Sequence, residues 1–203
     1  MNKLIKICMI LFFSSITSSC SFLLKKSYGI NDLTSFDKEN YEDFLAFIPD
    51  TINYISIISS KEQFRSKIES GIDNNNKNDF GQPIQILYFN EDSLISFHAN
   101  CHAKGSLRGL DWNINNRFES FVPISAVPIK HLDYTLNKTT YIYPEIKNKD
   151  KKYTIIFFWT NMMTKLSKEA FKIVMKNLSD NNIDKSQYSL YIVNTDYYFS
   201  TIK

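Results

Sequence analysis

Two imidazoles and a thiol fall within one short stretch, His98-Ala99-Asn100-Cys101-His102. Three outcomes fit these residue types. Nitrogen and sulfur donors suit Zn²⁺ or Cu⁺, which makes His98, Cys101 and His102 candidate metal ligands. An adjacent imidazole also lowers a thiol pKa, which would make Cys101 a nucleophile or a redox sensor. The third outcome is packing alone, with a small cysteine buried beneath a strand end and two half-exposed histidines. A strand continuing through the stretch would put His98 and His102 on one face and Cys101 on the other, which works against a shared metal. Trp112 lies ten residues beyond His102, and either packs on the body of the fold or contacts a ligand. Asp111 beside it reads as a turn former rather than a general acid.

Little else in the chain suggests chemistry. There is no paired-carboxylate spacing and no defensible Ser-His-Asp arrangement. No GxGxxG or GxxxxGKS/T occurs, and five glycines in 203 residues leave little material for a phosphate-binding loop. No cofactor is expected. The formal charge of +3 includes Lys3 and Lys6. Removing the segment that carries them leaves about +1, too weak a charge to suggest a nucleic-acid partner.

That segment, MNKLIKICMILFFSSITSSC, has two lysines, an apolar run from Ile7 to Phe13, and small or polar residues up to Cys20. The run is too short to span a bilayer and has the layout of a signal peptide. With Ser19 before Cys20, it resembles a bacterial lipoprotein signal, although Thr17 stands where Leu is usual. The resemblance implies cleavage after residue 19, acylation of Cys20 and attachment to the lipid bilayer. Each buried CH₂ of an acyl chain contributes about 0.8 kcal/mol to that attachment. Cys8 would leave with the signal. Of the three cysteines, Cys101 alone would remain a free thiol, and there is no CxxC.

The elements that must position Cys101 are read next. Residues 20–35 form a tether, and 36–203 a single α/β domain. Asp37 to Ile48 is helical, with early acids, and ends before Pro49. TINYISIIS, residues 51–59, is a strand. Ser60 and Gln63 form a capping box for a helix from Lys61 to about Ser70, with Gly71 as its C-cap. NNNKN, residues 74–78, reads as a solvated loop. Ile84–Asn90 and Leu94–Ala99 form an antiparallel hairpin led by Pro83. Lys104 to Trp112 reads as a tightly turning loop, and Phe118, Phe121, Pro123 and Pro128 mark an extended segment on the body. YTIIFFWT, residues 153–160, is a strand covered on both faces. A helix capped by Ser167 follows, with Leu166, Ala170, Phe171, Val174, Met175 and Leu178 as its apolar stripe. YSLYIVN, residues 188–194, returns as a parallel strand.

This pattern resembles a thioredoxin-like domain, a mixed sheet flanked by helices. Phe158-Trp159 ends a strand that leads into a helix and then a strand ending in Asn194-Thr195-Asp196. The Pro-led hairpin resembles the family's second half, which makes Pro83 a cis-proline candidate. Two departures matter. Where active members carry CxxC, this chain reads Thr160-Asn161-Met162-Met163-Thr164. The hairpin also precedes the Trp-ended strand, so the fold is either permuted or elaborated. The resemblance implies a redox-inactive, thioredoxin-like lipoprotein of the Gram-negative envelope, on the periplasmic or outer-membrane side. Such a protein would act as a binding module for an unidentified protein or small molecule. The alternative is a single-cysteine thiol redox protein or sensor that uses Cys101.

Overall fold

The computed structural model describes residues 30–71, 73–106, 109–130, 132–147 and 151–202. The segment expected as a leader, Cys20 and the start of the expected tether lie outside the described residues. In chain order the elements are α1 (Lys38–Ala46), β1 (Ile55–Ile58), α2 (Lys61–Glu69), α3 (Asn74–Phe80), β2 (Gln85–Asn90), β3 (Ser93–Ala99), β4 (Lys104–Ser106) and β5 (Gly109–Asp111). They continue with α4 (Leu136–Ile142), β6 (Tyr153–Trp159), α5 (Thr164–Asp180), β7 (Tyr188–Asn194) and α6 (Asp196–Phe199). No helix among the described residues is long and apolar enough to cross a membrane.

The class is α/β. Five strands form one mixed sheet in the order β1-β7-β6-β2-β3. β1, β7 and β6 run parallel, while β2 is antiparallel to both β6 and β3. The apolar run of β6 sits between β7 and β2, where both faces are covered. Side chains alternate across a strand, so this run feeds two cores. Ile155, Phe157 and Trp159 join Ile86, Tyr88 and Ile192 under α1 and α5. Ile156 and Phe158 join Leu87, Phe89, Tyr191 and Val193, with Phe64 of α2, Phe80 of α3 and Leu136 of α4 against them. Trp159 stacks on Phe44 of α1, with ring centroids 3.6 Å apart and 15° between planes. Fully burying an aromatic or aliphatic side chain of this size contributes about 1.5–3 kcal/mol, so these two layers supply most of the driving force.

Several local expectations hold. The acid-led helix is α1, which Asp37 caps through the amides of Glu39 and Asn40 and which ends at Ala46, short of the expected Ile48. The Ser60–Gln63 capping box is present on both sides. The hairpin turns through Glu91-Asp92, with Glu91 at φ 52°. Leu166, Ala170, Phe171, Val174 and Leu178 are the buried stripe of α5.

Others are corrected. The strand expected over 51–59 pairs only across Ile55–Ile58. The Gln82–Pro83 bond is trans, since the cis bond among the described residues is Phe121–Val122. Residues 74–78 are helical, because Asp73 caps the amide of Asn76 at 2.8 Å and begins α3. Lys104–Trp112 contains the small hairpin β4–β5. α5 starts at Thr164, and Ser167 lies inside it with its hydroxyl donated to the Thr160 carbonyl at 3.3 Å. Gly71 follows the C-cap Ser70. A Cβ at Gly71 would lie 2.7 Å from the Lys77 amide nitrogen, so this glycine permits α2 and α3 to approach closely.

Candidate functional site

The stretch His98–His102 does not continue as a strand. β3 ends at Ala99, and Asn100–His102 forms a 3₁₀ turn. The Asn100 side chain is the physical cause. Its Oδ1 accepts from the Ile84 amide at 3.1 Å, and the Asn100 backbone amide donates to the Ile84 carbonyl at 3.1 Å. A side-chain oxygen thus takes the place of the next ladder carbonyl, and the chain turns away. The Asn100 amide group also donates to Gln82 Oε1 at 3.1 Å, which pins the turn to the segment before β2.

The turn separates the two histidines. His98 is still in β3 and packs into the core, 1% exposed. Its Nε2 is 3.0 Å from Ser96 Oγ, and its ring lies 4.5 Å from that of Phe118. Burial, helped by the nearby Arg117 and His102 charges, drives its pKa down to about 3, so it is neutral at ordinary pH. His98 is a packed core residue and is not gathered with Cys101.

Asp79 takes the place expected of His98. The His102 ring donates from Nε2 to Asp79 Oδ1 at 2.9 Å, and the Cys101 thiol donates to the same oxygen at 3.6 Å. One ligand atom from each of Asp79, Cys101 and His102 lies within 4.8 Å of the other two. Cys101 is exposed rather than buried beneath the strand. Partial desolvation of its sulfur, with the Asp79 charge and hydrogen bond beside it, pushes the thiol up to about 11. This is the opposite of the shift that makes a reactive cysteine. Asp79 and His102 face a cavity of about 540 Å³ whose other walls include Asp73, Asn75, Asn76 and Asn78.

The position of Asp79 depends on a buried lysine that sequence reading missed. Lys67 of α2 is 0% exposed. Its Nζ donates to the Phe80 carbonyl at 3.1 Å and to Gln85 Oε1. Gln85 Nε2 donates to that same carbonyl at 2.8 Å. The Phe80 carbonyl is one of those a helix end leaves without an internal partner, so Lys67 and Gln85 cap α3 directly after Asp79. The rings of Phe158, Phe80 and Phe64 surround Nζ at 4.5, 4.8 and 5.4 Å from their centroids. Burial lowers the Lys67 pKa well below the ordinary lysine value. Both signals were present in the sequence. Lys67 falls between Phe64 and Ile68 on the apolar stripe of α2, and Asp73 and Gly81 bracket α3 as start and stop residues.

The second place singled out by the sequence is the end of β6. Trp159 is fully buried, and Thr160 and Asn161 are closed over by Asp196. Asp196 Oδ1 accepts from the Thr160 hydroxyl and the Asn161 amide, and Oδ2 from Asn161 Nδ2, each at 2.7 Å. Trp112 packs with the core under α1 and α5, 5% exposed, and its Nε1–H finds no acceptor among the described residues. It contributes packing and does not open onto the cavity beside Asp79.

The chain matches no known family model, no curated protein and no solved structure.

Proposed function

We propose that the protein is a lipid-anchored, redox-inactive binding module of the bacterial cell envelope, built on a thioredoxin-like domain. The observation that carries the reading is the closed cluster Thr160–Asn161–Asp196. On the thioredoxin-like reading it stands where an active member would expose its dithiol, and it holds no sulfur and little solvent-accessible surface. The direct β2–β6 pairing also supports the reading, because it joins the Pro-led hairpin and the strand-helix-strand unit in a single sheet. The reordered connection between them is then an elaboration of one domain. A cavity of about 540 Å³ falls in the size range of small-molecule sites, and its amide and carboxylate walls favour a polar or cationic ligand.

The alternative, a redox protein or sensor built on Cys101, requires a thiolate near neutral pH. The upward shift of that thiol disfavours it.

Two measurements test the proposal. Radiolabelled palmitate is expected on the wild-type chain and absent from Cys20→Ala, which is expected to leave the membrane fraction. Reduction of a protein disulfide by dithiothreitol is expected to run no faster with the purified protein than without it. Labelling of Cys20→Ala, or a catalysed rate, would overturn the reading.

A further inference from the structure

We propose that Asp79, Cys101 and His102 form a three-ligand site for a borderline divalent cation, Zn²⁺ first among them, with a fourth position open to the adjoining cavity. The proposal deepens the binding-module reading by naming the class of ligand.

The donor set is selective. A thiolate and an imidazole suit Zn²⁺ far better than Mg²⁺ or Ca²⁺, and the carboxylate makes the set harder than Cu⁺ prefers. Two of the three ligand-atom separations are close to what the ion needs, and the third, Sγ to Nε2, is within 4.8 Å. Ligand atoms about 2.0–2.3 Å from a tetrahedral Zn²⁺ stand about 3.3–3.6 Å apart. Sγ and Oδ1 are already at 3.6 Å. Nε2 and Oδ1 are at 2.9 Å and must part by about 0.4 Å to admit the ion. His102 is only half-buried and has room to make that movement.

Electrostatics point the same way. Asp79 sits in the last turn of α3, where the partial negative charge of the helix terminus disfavours a carboxylate. It is mostly buried, and the side chains on its carboxylate among the described residues are those of His102 and Cys101. A cation at this point relieves both burdens. Arg117 donates to the His102 carbonyl at 3.4 Å and fixes the turn, although its charge opposes a second cation. Binding removes that objection, because the Asp79 carboxylate and the Cys101 thiolate together balance the charge of Zn²⁺. The proton balance is simple. The S–H proton of Cys101 passes to solvent as the S–Zn bond forms, and the His102 ring proton moves from Nε2 to Nδ1. One proton is released per ion bound to neutral His102.

The scaffold holds the ligands before the ion arrives. Asn100 fixes the turn that carries Cys101 and His102, and Lys67 with Gln85 fixes the end of α3 that carries Asp79. Lys67 is thus a positioning residue.

The test uses the full chain in detergent, stripped of metal and titrated with Co²⁺. One ion per chain with a thiolate-to-cobalt charge-transfer band is expected, and Zn²⁺ is expected to displace it. Cys101→Ser is expected to lose the band. Asp79→Asn and His102→Gln are expected to bind about tenfold more weakly or worse, and His98→Gln as wild type does. Equimolar Zn²⁺ is also expected to protect wild-type Cys101 from iodoacetamide, a readout that needs no substitution. Absence of the band from wild type, wild-type affinity in Cys101→Ser, or alkylation unchanged by Zn²⁺ would overturn the site. Palmitate labelling and the missing dithiol activity are unaffected by any of these results, so failure here is distinguishable from failure of the binding-module reading.

Discussion

Asp196 and Asp79 are two carboxylates with opposite surroundings. Asp196 is fully buried, and both its oxygens are occupied by the donors of Thr160 and Asn161. Asp79 stands at the wall of a cavity, and its Oδ1 is shared by a thiol and an imidazole. The first joins the end of β6 to the start of α6. The second gathers side chains from α3 and from the turn after β3. A carboxylate sealed in the core with three donors already on it is closed to a ligand. A carboxylate whose partners are themselves ligand atoms retains the capacity for one. Function is therefore sought at Asp79, although the sequence resemblance draws attention to Trp159 and the residues after it.

The comparison breaks most readily at Asp196. Asp196→Ala leaves a hydroxyl, a backbone amide and a side-chain amide without their acceptor inside the core. Breaking such a buried, charge-assisted cluster costs about 3–5 kcal/mol. Urea denaturation of the wild type and the variant measures it. A loss under about 1 kcal/mol would mean that the cluster does not seal the end of β6.

Reactivity of Cys101 is the next largest effect. With the thiol pushed up to about 11, alkylation near pH 7.5 is expected to be on the order of 10²-fold slower than for an ordinary cysteine. The rate should climb with pH until that pKa is passed. A rate that levels off near pH 8 would restore the redox alternative.

Lys67 gives a smaller effect whose sign can be derived. Its folded-state pKa is lowered, while the unfolded chain keeps the ordinary lysine value of about 10.4. Between the two, the unfolded state binds a proton that the folded state does not, so stability rises with pH. The slope is at most about 1.4 kcal/mol per pH unit. Lys67→Met is expected to remove that component, so the wild-type curve should gain on the variant's as pH rises towards 10. Parallel curves would show that Lys67 keeps its proton inside its aromatic cage.

The fold was more legible in the sequence than the site, for physical reasons. β6 and β7 announce themselves because a strand covered on both faces needs unbroken apolar residues, and YTIIFFW and YSLYIVN supply them. Ser60 and Gln63 are equally readable, since a capping box is a local interaction. Residues 74–78 misled because the turn propensity of five polar residues masks the local Asp73 cap, while the further contacts that hold α3 in place are distant. Those contacts are the Lys67 bond to the Phe80 carbonyl and the close approach at Gly71. The metal-ligand candidates failed at one residue for the same reason. Cys101 and His102 are adjacent in sequence, but Asp79 reaches them only through the packing of α3. His98 was drawn in by spacing and then excluded by Asn100, whose side chain ends the strand at Ala99.

The smallest effect closes the comparison on its other side. Asp79→Ala removes a carboxylate whose partners, Cys101 and His102, both reach solvent. Water can replace the lost acceptor, so no desolvated donor is stranded as at Asp196. The substitution also removes a negative charge from the end of a helix, a relief of about 0.3–1 kcal/mol. These terms oppose each other, and the metal-free protein should change by less than about 1 kcal/mol, with a gain as acceptable as a loss. In urea with a chelator present, Asp79→Ala is therefore expected to unfold close to wild type, while Asp196→Ala unfolds far earlier. Added Zn²⁺ should then stabilise the wild type and leave Asp79→Ala unmoved, because an ion stabilises only the folded state that holds it. Equal, large losses for the two alanine variants would mean that both carboxylates are structural and that the distinction between them fails.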